Sequence, residues 1–148
     1  MPASVEGAGL GLVVRHTVRA SAAHAFACWT EAHRLARWWG PAGVTCTGAE
    51  IDLRVGGRYR IGNRFADGRE VWIVGIFERI EPPHRLVFSW RLEPGPDLDE
   101  RVTVRFEPRG DATEIVVVHE RIASGEARAS HEAGWQGCLE GLGRFVTA

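Results

Sequence analysis

Lysine is missing from this chain: all 18 of its basic residues are arginine. That rules out Schiff-base chemistry on a lysine side chain and a P-loop lysine cradling phosphates. Asparagine, glutamine and tyrosine are scarce as well. A GC-rich coding bias gives this composition, and it accounts for the arginines without any phosphate-binding role. Cysteine is sparse too: Cys28, Cys46 and Cys138 are odd in number, widely spaced and form no CxxC. A disulfide framework and a zinc knuckle are therefore not expected, and a reducing, cytoplasmic setting is. No apolar run approaches the ~18 residues of a membrane helix, and the start MPASVEGAGLGLVV lacks the basic segment of a signal peptide. No membrane insertion is expected. The formal net charge of -1 supplies no electrostatic reason to bind nucleic acid or an anionic membrane.

What is present is ordinary globular material. The 148 residues are 45% hydrophobic and 25% charged, enough for one domain with a substantial core. Residues 1–9 are small and glycine-rich, which reads as a loose tail, leaving 10–148 as a single domain. Leu10 to Ala20 reads as a first strand. Ser21 is a suitable N-cap for a short alanine-rich helix in which Ala22, Phe26 and Trp29 share a face. Thr30 is placed to cap a second short helix, Glu31 to Trp39, which Gly40-Pro41 stops.

From there the pattern changes to short alternating segments separated by turn signals, an antiparallel meander. Strands are predicted near 43–54, 57–63, 69–79, 84–92, 100–108 and 112–121. Asp67-Gly68 is a strong hairpin signal. Leu86, Phe88, Trp90 and Leu92 make one face of their strand apolar; Val102, Val104 and Phe106 do so in the next, and Ile115, Val117 and His119 in the last. Residues 126–146 form a long helix on a stripe of Trp135, Leu139, Leu142 and Val146, widened by Cys138 and Phe145. At 1.5 Å per residue it is about 30 Å long. It nevertheless carries Gly134, Gly137, Gly141 and Gly143, each costing about 1 kcal/mol against alanine. Close approach of a neighbouring element is one reason to keep a glycine there; a gap left for a ligand is another.

The fold class is thus α+β: a curved antiparallel sheet of about seven strands, two short helices after the first strand and a long C-terminal helix packed over the sheet. Strand, two helices, six strands and a long helix is the helix-grip order. Ala20-Ser21, Trp29-Thr30, Leu35-Ala36-Arg37-Trp38-Trp39-Gly40-Pro41, Asp52-Leu53-Arg54-Val55-Gly56-Gly57-Arg58-Tyr59-Arg60, Arg85-Leu86-Val87-Phe88-Ser89-Trp90 and Gly134-Trp135 sharpen the match. Over residues 10–147 the chain resembles bacterial SRPBCC proteins of the Hsp90-ATPase-activator-homologue type, in the START-like, Bet v 1-like superfamily. The resemblance implies a deep cavity between sheet and C-terminal helix. It also implies a range of roles, from binding lipids, hormones or polyketides to cyclase and aromatase activity. The eukaryotic co-chaperone behind the family's name uses a further N-terminal domain for Hsp90 binding, for which this length leaves no room; a chaperone partner is not expected.

Several side chains are candidates for chemistry. His119-Glu120 and His131-Glu132 resemble the start of a metalloprotease motif, but Ala123 and Trp135 stand where a second histidine is required. The two histidines can still converge at the strand–helix junction; no third ligand is evident, and no metal or other cofactor is expected. His119 on an inward face is either an acid–base group near neutral pH or a core histidine bonded to the backbone. Arg54, two residues from Asp52, is either a clamp for an anionic ligand group or one half of a structural ion pair. Of the six tryptophans, Trp29 and Trp38 are assigned to the core. Trp39, Trp72, Trp90 and Trp135 are candidate pocket walls. Tyr59, Phe88, Val104, Val117, Cys138 and Leu142 complete the expected lining. Three functions stay open at this point. The first is binding of a small hydrophobic or aromatic molecule. The second is a cyclase, dehydratase or hydrolase using His119 and Arg54. The third is a protein-interaction module, either the Hsp90-type co-chaperone that the chain's length argues against or a homodimer built on a sheet edge or the helical layer; the chain is otherwise expected to be a monomer.

Overall fold

The computed structural model describes residues 9–41 and 43–147. The expected tail therefore lies, Gly9 apart, outside the described residues. In chain order the elements are β1 (Leu10–Val18), α1 (Ala22–Thr30), α2 (Ala32–Trp38), β2 (Val44–Ile51), β3 (Arg58–Phe65), β4 (Glu70–Glu81), β5 (Arg85–Glu93), β6 (Glu100–Arg109), β7 (Ala112–Ile122) and α3 (Gly125–Thr147). The seven strands form one sheet in the order β1-β7-β6-β5-β4-β3-β2. Every neighbouring pair is antiparallel. Strands β2 to β7 run as a meander, β1 joins beside β7, and α1 and α2 carry the chain from one edge of the sheet to the other. This is the helix-grip arrangement.

Local chemistry explains the boundaries. Ser21 caps α1, its Oγ accepting from His24 N at 3.1 Å. Thr30 does not cap α2. It is the last residue of α1, and its hydroxyl donates back to Phe26 O at 2.9 Å, the i−4 bond a threonine makes inside a helix. Glu31 takes the N-cap position of α2 with no side-chain bond. At the β3–β4 hairpin, Arg69 N donates to Asp67 Oδ1 at 2.9 Å and Gly68 adopts φ 89°, so Asp-Gly turns the chain as expected.

Alternation then decides what is buried. Val102, Val104 and Phe106 of β6 and Ile115 and Val117 of β7 are at most 1% exposed. They meet Phe26, Trp29, Leu35 and Trp38 from the short helices and Leu139 and Leu142 from α3 in one apolar core. Each such side chain contributes on the order of 1.5–3 kcal/mol when taken out of water. Helix α3 packs chiefly on β1, with β7, α2 and α1 as further neighbours. Its weight therefore lies over one side of the sheet, leaving the concave face of β3, β4 and β5 without a helix directly on it. Among the described residues no helix is long and apolar enough to cross a membrane.

Candidate functional site: a cleft beside the C-terminal helix

The tryptophans largely fill the interior below α3. Trp135 stacks on Trp29 with ring centroids 5.9 Å apart, and meets Trp39 at 5.6 Å and Trp90 at 5.3 Å. What remains beneath them is a small apolar void of about 20 Å³ between Trp29, Trp39, Tyr59, Ile61, Phe88 and Trp90. Its size suits at most one water, and its apolar walls offer too few partners to hold one. The single deep cavity expected from the sequence is thus replaced by this small void and a larger, open cleft. The indole volumes are the reason: Trp29, Trp38, Trp39, Trp90 and Trp135 occupy interior space that smaller residues would leave empty.

The cleft, about 1170 Å³, lies between α3 and the uncovered strands. Its sheet side is Asn63, Val71, Ile73, Trp90 and Leu92; its helix side is His131, Gly134, Trp135 and Cys138. Trp39 lies at one end, its indole N–H donating to Asn63 Oδ1 at 3.0 Å. Trp39 and Trp90 border both spaces. A Cβ built on Gly134 meets nothing within 4 Å, whereas one on Gly141 would sit 2.6 Å from Trp38 O. Both explanations for helix glycines therefore apply, each at its own position.

The structure sorts the expected lining residues. Trp135 and Cys138 wall the cleft, and Tyr59 and Phe88 wall the void. Val104, Val117 and Leu142 are fully buried core residues bordering neither space. Trp72 is a correction. It falls on the opposite parity of β4 from Val71 and Ile73, packs on the outer face over Gly62 and carries the Arg60 guanidinium 4.2 Å from its ring. Arg54 is a second correction. It sits in the β2–β3 turn with a side chain 76% exposed, bonded to Asp52 Oδ2 at 2.9 Å. His119, by contrast, is 0% exposed. The two face different environments, so they cannot act on one substrate.

At the His131 end of the cleft a polar cluster is built into the aromatic wall. Glu100 pairs across strands with Trp90, and Val102, two residues on, pairs with His119. Trp135 Nε1 donates to His119 Nδ1 at 3.0 Å. His119 Nε2 lies 2.7 Å from Glu100 Oε1, and His131 Nε2 lies 3.1 Å from the same oxygen. The two imidazoles stack with centroids 4.4 Å apart. An indole N–H can only donate, so the His119 nitrogen facing Trp135 carries a lone pair and the other carries the proton toward Glu100. Charging His119 would place a second N–H against the indole N–H. Burial pushes its pKa below the ordinary value, and the Glu100 hydrogen bond only partly offsets this. Burial alone would raise the Glu100 carboxyl; the bonds from His119 and His131 outweigh it and bring it to about 2. At neutral pH the cluster is one carboxylate held by a neutral, fully occupied His119 and by His131.

Glu100, His119 and His131 bring three potential ligand atoms within 4.8 Å of one another, close enough to hold a metal ion. The histidines do converge, and Glu100 is the third group. The hydrogen bonding nevertheless does not fit a metal. A ligating histidine donates its other ring N–H to a neighbour, whereas His119 accepts on that side. Cysteine chemistry is also disfavoured. Burial is the largest cause raising all three thiols, Cys138 to about 12.

Glu100 went unrecognised in the sequence, though a signal existed: it shares parity with Val102, Val104 and Phe106, placing a carboxylate on an inward face. His131, singled out in the sequence for its convergence with His119, lies four residues before Trp135, where the helix stripe extends by one turn.

No curated protein matches this sequence. Solved structures do match its shape. Protein CV1439 of Chromobacterium violaceum is 23% identical with a TM-score of 0.85, covering 93% of this chain and 97% of its own. The AHSA1 (SPO3351) protein of Silicibacter pomeroyi is 21% identical with a TM-score of 0.82, covering 93% and 98%. These likenesses establish the fold. The AHSA1-like protein of Aeromonas hydrophila is 26% identical with a TM-score of 0.75, covering 93% and 92%. The family model described as Activator of Hsp90 ATPase homolog 1-like protein matches residues 19–147, nearly the whole chain, and the chain belongs to that family.

Proposed function

We propose that this protein binds a small hydrophobic or aromatic molecule in the cleft between α3 and strands β3 to β5. One observation carries the reading: a cleft of about 1170 Å³ with Trp39, Ile73, Trp90, Leu92 and Trp135 in its walls, beside a core that is otherwise closed. Small-molecule sites have this make-up, mostly apolar with a few convergent polar groups. Gly134 supports it from the helix side, since any side chain there would occupy the cleft rather than strengthen the packing. The catalytic alternative built on His119 and Arg54 has lost its geometry, one side chain being sealed and the other on the surface.

The experiment is a titration with naphthalene and with a hydrophobic dye, followed through tryptophan fluorescence, because Trp90 and Trp135 border the cleft. Saturable binding to the native chain is expected. Gly134→Phe, which projects a ring into the cleft between His131 and Trp135, should weaken it several-fold while the thermal midpoint holds. Unchanged affinity in Gly134→Phe, or no binding to the native chain, overturns the reading.

A further inference from the structure

The His131 end of the cleft contains an acceptor and a donor with no protein partner. His131 Nε2 is committed to Glu100 Oε1 at 3.1 Å. Among the described residues the ring's other nitrogen has no hydrogen bond, and His131 borders the cleft. In the neutral imidazole, with its one proton on the nitrogen facing the carboxylate, that second nitrogen presents a lone pair. Trp90 also borders the cleft, is 6% exposed, and its indole Nε1 is the one buried side-chain polar atom without a partner among the described residues. Leaving a buried N–H unpaired is costly, and natural structures keep such groups rarely and for a reason. The Trp90 and His131 rings stand edge to face with centroids 6.0 Å apart, so the two unpartnered groups belong to neighbouring side chains at one end of the cleft.

Building on the binding reading above, we infer that this end of the cleft selects a neutral hydroxyl group on an otherwise apolar or aromatic ligand. The hydroxyl oxygen accepts from Trp90 Nε1–H, and its proton is donated to the free nitrogen of His131. A carboxylate fits poorly, because it brings a second negative charge beside ionised Glu100 and has no proton to give His131. The arginines bordering the cleft are Arg69, on the β3–β4 hairpin over the Phe65 ring, and Arg144, in the last turns of α3; neither pairs with Glu100. A bare hydrocarbon leaves both polar groups unpaired. Neither His119 nor Glu100 touches the ligand. Glu100 acts as a positioning residue that fixes the His131 tautomer, and Trp135 and His119 fix Glu100.

The test compares three probes of one shape, 2-naphthol, naphthalene and 2-naphthoate, by fluorescence quenching on the intact chain. The native protein should bind 2-naphthol about tenfold more tightly than naphthalene, the effect of well-placed hydrogen bonds, and 2-naphthoate no better than naphthalene. His131→Phe keeps an apolar wall, so naphthalene should bind as before while the preference for the naphthol disappears. His131→Gln retains one donor and one acceptor and should recover part of that preference; it also serves if the phenylalanine variant folds poorly. Equal binding of naphthol and naphthalene by the native protein, or a preference that persists in His131→Phe, overturns this inference and leaves the binding reading standing. Failure of all three probes overturns the binding reading and this inference with it.

Discussion

The two halves of α3 carry glycines for opposite reasons. Toward the C-terminus, Gly141 lets the helix lie against Trp38 O, and Leu139 and Leu142 beside it are fully buried. Nearer the N-terminus, Gly134 faces open space, and its neighbours His131 and Trp135 border the cleft. One helix is therefore a structural strut over β1 at one end and a cleft wall at the other. The same residue type, read only as a helix breaker, hides this division. It appears when the space around each absent side chain is considered.

Placing one side chain at both positions exposes the contrast most strongly. Gly141→Leu drives a side chain into backbone that cannot yield and should cost about 3 kcal/mol by overpacking. Gly134→Leu should leave stability within about 0.5 kcal/mol of the native chain or improve it. Urea denaturation of the two variants measures both. Equal losses would show that α3 packs uniformly along its length.

Acid bears on the cleft half through Glu100. The folded Glu100 carboxyl is at about 2 against an ordinary 4.5, so between those values the unfolded chain binds the extra proton. Stability is then fully present above pH 4.5 and falls as pH drops toward 2, by about 3 kcal/mol if the whole shift is expressed. His119 acts in the same direction at higher pH. Its folded pKa is lowered from 6.5, so it begins to lose stability as pH falls below 6.5. In Glu100→Gln the lower step should vanish from a denaturation series run from pH 7 to pH 2. Persistence of that step in the variant would assign the acid sensitivity to other carboxylates.

How far the sequence revealed this contrast depends on what each feature rests on. Strands and helices followed from periodicity and turn residues, which are local, so their order and approximate ends were legible. Trp72 was misassigned because aromatic content suggested a pocket while parity, visible at Val71 and Ile73, put it on the outer face. Arg54 was undecided because a clamp and an ion pair look alike until exposure is known. Glu100 was missed because its importance comes from two partners, His119 on β7 and His131 on α3, 19 and 31 positions away in sequence. The open cleft was also beyond reach: how far α3 shifts over the sheet depends on how tryptophan side chains pack, which no spacing rule gives.

Trp135→Phe probes the polar half in isolation. The indole N–H to His119 is lost, leaving a buried acceptor unpaired, at a cost of about 2 kcal/mol. The direction of the His119 titration is more informative than the loss. With the opposing N–H gone, protonating that nitrogen is less unfavourable, so the His119 pKa should rise toward its ordinary value in an NMR titration of the imidazole protons. A loss of stability with no change in titration would mean that burial alone keeps His119 neutral.

The smallest effect tests the central claim most directly. Gly134→Ala adds one methyl where nothing lies within 4 Å, so no neighbour has to move. The helix gains intrinsic propensity, and the unfolded chain loses conformational freedom. Together these predict a stabilisation of about 0.5–1 kcal/mol. The methyl projects into the cleft, so naphthalene affinity should fall modestly while stability rises. A structural glycine gives the reverse pairing, lower stability with any loss of binding following from it. Opposite signs of the two changes in a single variant would identify Gly134 as a residue kept for the space it leaves open.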